Sequence, residues 1–171
     1  RAQQPGASVC TPWGRGIGKS WFQRLTWYEA VARYDGQPRA GSLRETRGVR
    51  IVHLMPTFKA CKDIHGALTD EELGASGEWG FLGAKIDHTS WKITFPGGSW
   101  IQWFGTKEAN SARGIRCDWV TADECDDIDP SVMDGIVRPW FSEPWSLRER
   151  LLGGTPRRGR YGLLYQEHKA G

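Results

Sequence analysis

The stretch Trp13-Gly14-Arg15-Gly16-Ile17-Gly18-Lys19-Ser20 decides how this chain is read. A short apolar run, Ala7-Ser8-Val9-Cys10, precedes it like a buried strand, and a helical pattern follows with Trp21, Leu25, Tyr28 and Ala32 on one face. Strand, glycine-rich turn and helix start together make a cradle for an anion. Unpaired backbone N–H groups and the positive end of the helix dipole converge there. In that setting Lys19 brings an ammonium to the outer phosphates of a nucleotide, and the Ser20 hydroxyl ligates Mg²⁺. Trp13 stands where such loops usually open with glycine, and the competing reading is a glycine-rich turn with an incidental Gly-Lys-Ser.

A chain of 171 residues has the size of one domain, large enough for a central sheet covered by helices. The net charge of +3 permits nucleic acid as a partner without arguing for it. Its distribution says more: acid crowds Asp118 to Asp129, and arginine crowds Arg148 to Arg160. Cys10, Cys61, Cys117 and Cys125 lack the paired spacing of a zinc site and read as buried thiols of a reducing compartment. No apolar stretch approaches a membrane span. The chain opens on Arg1 rather than methionine, so the expectation is a domain taken from a longer protein.

Asp35-Gly36-Gln37-Pro38 closes the first helix, and Val49 to Met55 reads as a buried strand stopped by Pro56. A short helix is expected from Phe58 to His65, then a polar, glycine-rich surface excursion from Gly66 to Gly83. Trp91, Ile93 and Phe95 alternate, Pro96-Gly97-Gly98 turns, and Trp100 to Phe104 returns, a hairpin inserted on the main plan. A helix is expected to start near Asp129-Pro130, and Leu151-Leu152 to form a last strand. Strands alternating with helices give the fold class: a three-layer α/β/α domain with a mainly parallel sheet.

Asp118-Trp119-Val120-Thr121-Ala122-Asp123-Glu124 supplies the second half of a site. An apolar strand ending in two carboxylates places them at the carboxyl edge of the sheet, where α/β folds bind ligands. Asp123 would support the metal beside Ser20, and Glu124 would orient the attacking water. The alternative is a solvated acidic turn. Asp126, Asp127 and Asp129 are read as solvated or helix-capping. Thr155, in Gly153-Gly154-Thr155-Pro156, follows a strand end, where its hydroxyl could sense a γ-phosphate or simply sit in a tight turn.

In order along nearly its whole length, the chain resembles the ATPase domain of the large terminase subunit, the motor that packages DNA into tailed-phage capsids. Gly14 to Ser20 resembles that family's deviant Walker A, with Arg15 inside the loop. Met55-Pro56-Thr57-Phe58-Lys59 resembles the segment after its second strand. Ser111-Ala112-Arg113-Gly114, Asp118 and Asp123-Glu124 resemble its approach to Walker B, and Gly154-Thr155-Pro156 with Tyr165 its coupling motif.

The resemblance implies a P-loop (ASCE) ATPase using ATP and Mg²⁺ to drive double-stranded DNA into a procapsid. Nucleotide binding would fall to Gly14, Arg15, Gly16, Ile17, Gly18, Lys19 and Ser20, and metal binding to Ser20 and Asp123. Glu124 would be catalytic with Arg113 or Arg15, and Gly154, Thr155 and Pro156 would couple nucleotide state to motion. The implied partners are double-stranded DNA, further copies in a ring, the portal protein and the small terminase subunit, at the procapsid portal in the host cytoplasm, with no membrane. The family's adenine-recognition segment lies further upstream than Gln3 and Gln4, and its nuclease domain would follow Gly171, so this chain by itself is expected not to cut DNA.

Arg15 is tied to the loop, while Arg113 sits on a glycine-flanked loop from which the family's arginine can act across a subunit interface. The Arg157-Arg158-Gly159-Arg160 run reads equally as a DNA-phosphate contact or a solvated face. Trp91, Trp100 and Trp103 read as sheet packing rather than base platforms, and His53, His65, His88 and His168 as structural. Two rivals stand beside the motor: a helicase-like ATPase on single strands, and a nucleotide-binding module without turnover.

Overall fold

The computed structural model describes residues 8–12, 18–38, 48–73, 77–107, 112, 114–141 and 149–154. Seven strands form one sheet: β1 (Ser8–Pro12), β2 (Arg50–Met55), β3 (Lys85–Asp87), β4 (Lys92–Thr94), β5 (Trp100–Gly105), β6 (Trp119–Ala122) and β7 (Glu149–Gly154). Their order is β1-β7-β6-β2-β5-β4-β3. The first five in that order are parallel neighbours, and β4 and β3 add antiparallel strands at one edge.

Strand alternation builds a core on each face. In β2, Ile51 and Met55 face one side with Trp27, Ala30, Val31, Trp79, Ile101 and Trp103. Val52 and Leu54 face the other, with Val120, Ala122, Leu152, Met133, Val137 and Trp140. The first face is covered by α1 (Lys19–Tyr34), α2 (Phe58–Leu73) and the short α3 (Glu78–Phe81). The second is covered by α4 (Pro130–Val132), a π-helical turn (Met133–Val137) and α5 (Arg138–Trp140). Three layers result, as the alternation of elements predicts.

Three expectations need correction. The hairpin is not an insertion: β5 pairs in parallel with β2, so it belongs to the main sheet and only β4 and β3 extend the edge. Nor do the described residues between 66 and 83 make a surface excursion. The second helix runs on to Leu73, burying Thr69 and Glu72, and Trp79 of α3 is fully buried.

Finally, α1 is turned from the face read for it. Trp21 and Leu25 are 59% and 62% exposed, while Gln23, Arg24, Trp27, Ala30 and Val31 are buried. The buried side is polar in its first two turns, which hides it from a search for apolar residues. At its other end, α1 is tied to the β4–β5 turn: the Asp35 carboxylate accepts the N–H groups of Gly97 and Ser99, each at 2.9 Å. A Cβ on Gly97 would lie 2.2 Å from the Gly36 nitrogen, so this approach requires glycine.

Candidate nucleotide-binding site

Parallel pairing brings the strand ends to one edge, with Pro12 opposite Gly154 and Ala122 opposite both Leu152 and Leu54. At that edge α1 begins on Gly18, whose φ of 79° is left-handed and suits glycine. Gly18 has no side chain with which to cap this helix start, and no acidic residue lies in the first turn of α1. The positive end of its dipole is therefore electrostatically disposed toward an anion.

Ser20 Oγ donates to Asp123 Oδ2 at 3.2 Å, joining positions 103 residues apart in sequence. The other Asp123 oxygen accepts the Glu124 N–H at 2.8 Å, and the Asp123 N–H donates to the Leu54 carbonyl at 3.0 Å. Glu124 has φ 51° and ψ 41°, left-handed for a residue with a Cβ. Non-glycine residues adopt that conformation at a cost and cluster at functional sites. This backbone bend takes Glu124 out of the line of β6, and a single 3₁₀ turn (Cys125–Asp127) follows. Gly18, Lys19, Ser20, Trp21, Ile64, Asp123 and Glu124 line one cleft of about 320 Å³.

The donor set fits Mg²⁺. Among the described residues no group of three His, Cys, Asp or Glu side chains could cage a metal. One hydroxyl and one carboxylate converge instead, the sparse protein ligation with which Mg²⁺ is shared with nucleotide phosphates and water.

Of the residues expected in the site, Gly18, Lys19, Ser20, Asp123 and Glu124 come together. Gly14, Arg15, Gly16, Ile17, Arg113, Thr155 and Pro156 lie outside the described residues, and Gly154 ends β7. Asp118 does other work: its buried carboxylate accepts from the Arg50 N–H at 2.9 Å and pairs with the Arg50 guanidinium, clamping β6 to β2. Asp129 caps α4 by accepting from the Ser131 N–H at 2.9 Å, whereas Asp126 is buried rather than solvated. Trp103 is buried and Trp91 stacks on it at 5.3 Å.

Sequence reading missed a buried polar cluster under the site. Arg24, fully buried, pairs with Glu72, with Nε donating to Oε1 at 3.0 Å; it also donates to His65 Nδ1 at 3.2 Å and reaches Thr69. Its guanidinium lies over Trp27 and Trp79, 5.7 and 5.2 Å from their ring centres. His65 meets His53 edge-to-face at 4.7 Å, and His53 Nδ1 lies 2.9 Å from Thr121 Oγ1.

Burial first, and then the charge of Arg24, pushes His65 down to about 3. His53 is pushed well below its ordinary value by burial, then by His65 and Arg24. Both are neutral in the folded chain at pH 7, while in the unfolded chain they take up protons near pH 6.5. The unfolded state then binds more protons below that pH, so stability falls as the medium is acidified. Between pH 7 and 5 we expect a loss of about 2 kcal/mol for each imidazole, read from urea midpoints. A midpoint that does not move over this range would contradict two buried neutral imidazoles.

The fold is a three-layer α/β/α domain in which β7 stands between β1, the strand that precedes α1, and β6, the strand that leads into Asp123 and Glu124. Among solved structures it is the fold of phage large terminases. The large terminase ATPase domain of Thermus phage P74-26 is 19% identical with a TM-score of 0.62, over 88% of this chain and 59% of that one. The large terminase of a thermophilic bacteriophage, solved with ADP, is 15% identical with a TM-score of 0.64, over 97% of this chain and 37% of that one. That of bacteriophage HK97 is 14% identical with a TM-score of 0.67, over 92% and 31%. No protein-family model and no curated protein sequence matches the chain.

Proposed function

We propose that this chain is an ATPase domain of a phage DNA-packaging motor, hydrolysing ATP with Mg²⁺ to move double-stranded DNA. The observation that carries the reading is the Ser20–Asp123 contact at the N-terminus of α1, with Glu124 in the same cleft. Likeness to large terminases, one solved with ADP, supports it.

In this reading the N-terminus of α1 and Lys19 hold the phosphates, and Ser20 and Asp123 hold Mg²⁺, which supplies charge neutralisation on the phosphate oxygens when bound. Glu124 orients and polarises the attacking water. Arg113 or Arg15 meets the charge that develops on the γ-phosphate, Arg113 from a neighbouring copy in a ring, and Gly154-Thr155-Pro156 couples nucleotide state to motion. Portal protein and small terminase subunit are the proposed partners, at the procapsid in the host cell. Among the described residues no helix is long and apolar enough to cross a membrane. The packing of Trp91 on buried Trp103 favours this reading over a single-strand motor with an aromatic platform.

Lys19→Ala tests the binding half. It should weaken Mg²⁺·ATP by roughly 10-fold or more, because a charge-assisted contact to phosphate is worth about 1.5–3 kcal/mol. Titration with a fluorescent ATP analogue reads the change. Unaltered affinity would remove the phosphate-loop assignment.

A further inference from the structure

Three consecutive residues at the end of β6 are each bonded to a successive turn of α1. Trp27 Nε1 donates to Thr121 Oγ1 at 3.0 Å, Gln23 Nε2 donates to the Ala122 carbonyl at 2.8 Å, and Ser20 Oγ donates to Asp123 Oδ2 at 3.2 Å. Positions 20, 23 and 27 share one face of a helix with 3.6 residues per turn. Seven helical residues advance about 10.5 Å and two strand residues about 6.6 Å. The rungs therefore need side chains of unequal reach: Trp27 and Gln23 are long and Ser20 is short.

The middle rung is the informative one. Gln23 is 1% exposed, and its amide holds the main-chain oxygen immediately before Asp123. That peptide is where the strand ends and the left-handed turn at Glu124 begins. A methylene-rich side chain would fill this space without the desolvation cost of an amide. Burying an amide against a carbonyl gives direction and distance instead.

We propose that Gln23 is a positioning residue for the metal end of the site, fixing the Ala122–Asp123 peptide so that the Asp123 carboxylate and Ser20 hydroxyl stay at ligating separation, with Trp27 holding the rung beneath. The inference rests on the Mg²⁺–nucleotide reading and adds to it a residue that touches neither metal nor nucleotide. A seam that only packed helix on sheet would change stability and leave metal dependence alone.

The test uses the whole 171-residue chain, a fluorescent ADP analogue and Mg²⁺. Gln23→Met keeps length and removes the donor. Affinity for the analogue in EDTA should stay close to the parent's, while the Mg²⁺ concentration giving half of the metal-dependent gain should rise roughly 10-fold, as when a group supporting a metal ligand is lost. Unchanged Mg²⁺ dependence overturns the proposal, whatever happens to the urea midpoint. Should Gln23→Met fail to fold, Trp27→Phe decides: it keeps a ring, removes the N–H, and should shift Mg²⁺ dependence severalfold in the same direction. No shift there also overturns the proposal. Absence of any Mg²⁺-dependent binding in the parent would instead strike down the proposed function, and would be seen before any substitution is made.

Discussion

Glu124→Gln is expected to bind Mg²⁺·ATP as the parent does and to lose turnover by roughly 10²–10⁴-fold, the range associated with removing a positioned general base. Glutamine keeps the size and hydrogen-bonding shape of glutamate but removes the charge that polarises water. It also meets the same backbone demand at φ 51°, so the turn itself is not relieved. Phosphate release in a single turnover, beside a titration with a fluorescent ATP analogue, separates the two effects. Turnover at the parent's rate would leave Glu124 as a turn residue, whereas no phosphate release from either chain would favour a binding module that does not hydrolyse. The contrast with Lys19→Ala, which should fail at binding, makes the pair diagnostic.

Glu72→Ala is expected to cost about 3–5 kcal/mol of stability, because it strands the buried Arg24 guanidinium without its carboxylate. Burial already pulls that guanidinium down to about 10 with Glu72 in place, so at neutral pH it is a buried charge that the carboxylate offsets. The double change Arg24→Met with Glu72→Leu should recover most of the loss, since replacing both partners removes the desolvation cost along with the attraction. Urea midpoints of the three variants read this directly. A single Glu72→Ala change costing less than about 1 kcal/mol would mean that the pair is effectively solvated.

The site is more legible in the sequence than the scaffold that holds it. Lys19, Ser20, Asp123 and Glu124, which line one cleft, stand out in the sequence because they are the residue types expected of phosphate and metal chemistry at a loop–helix junction and a strand end. The scaffold is hidden where polar groups are buried. Reading the apolar period from Trp21 puts α1 about 100° out, one residue's rotation. Yet Ser20 itself holds the answer: if its hydroxyl must face Asp123, positions 23, 24 and 27 must face the sheet and α2. Glu72 and Thr69 look like solvent-facing helix or loop because their partner, Arg24, is 48 and 45 residues away. Alternation reveals the hairpin, but its place in the sheet depends on the parallel pairing of β5 with β2, a long-range contact that local alternation does not encode.

The proposed metal position can be seen by diffraction from crystals of the chain grown with Mn²⁺ and a non-hydrolysable ATP analogue, because Mn²⁺ takes the oxygen ligands of Mg²⁺ and scatters anomalously. One anomalous peak is expected between Ser20 Oγ and the Asp123 carboxylate, with the outer phosphates against Gly18, Lys19 and Ser20. Nucleotide bound elsewhere, or bound here with the metal away from Ser20 and Asp123, would contradict the proposed site.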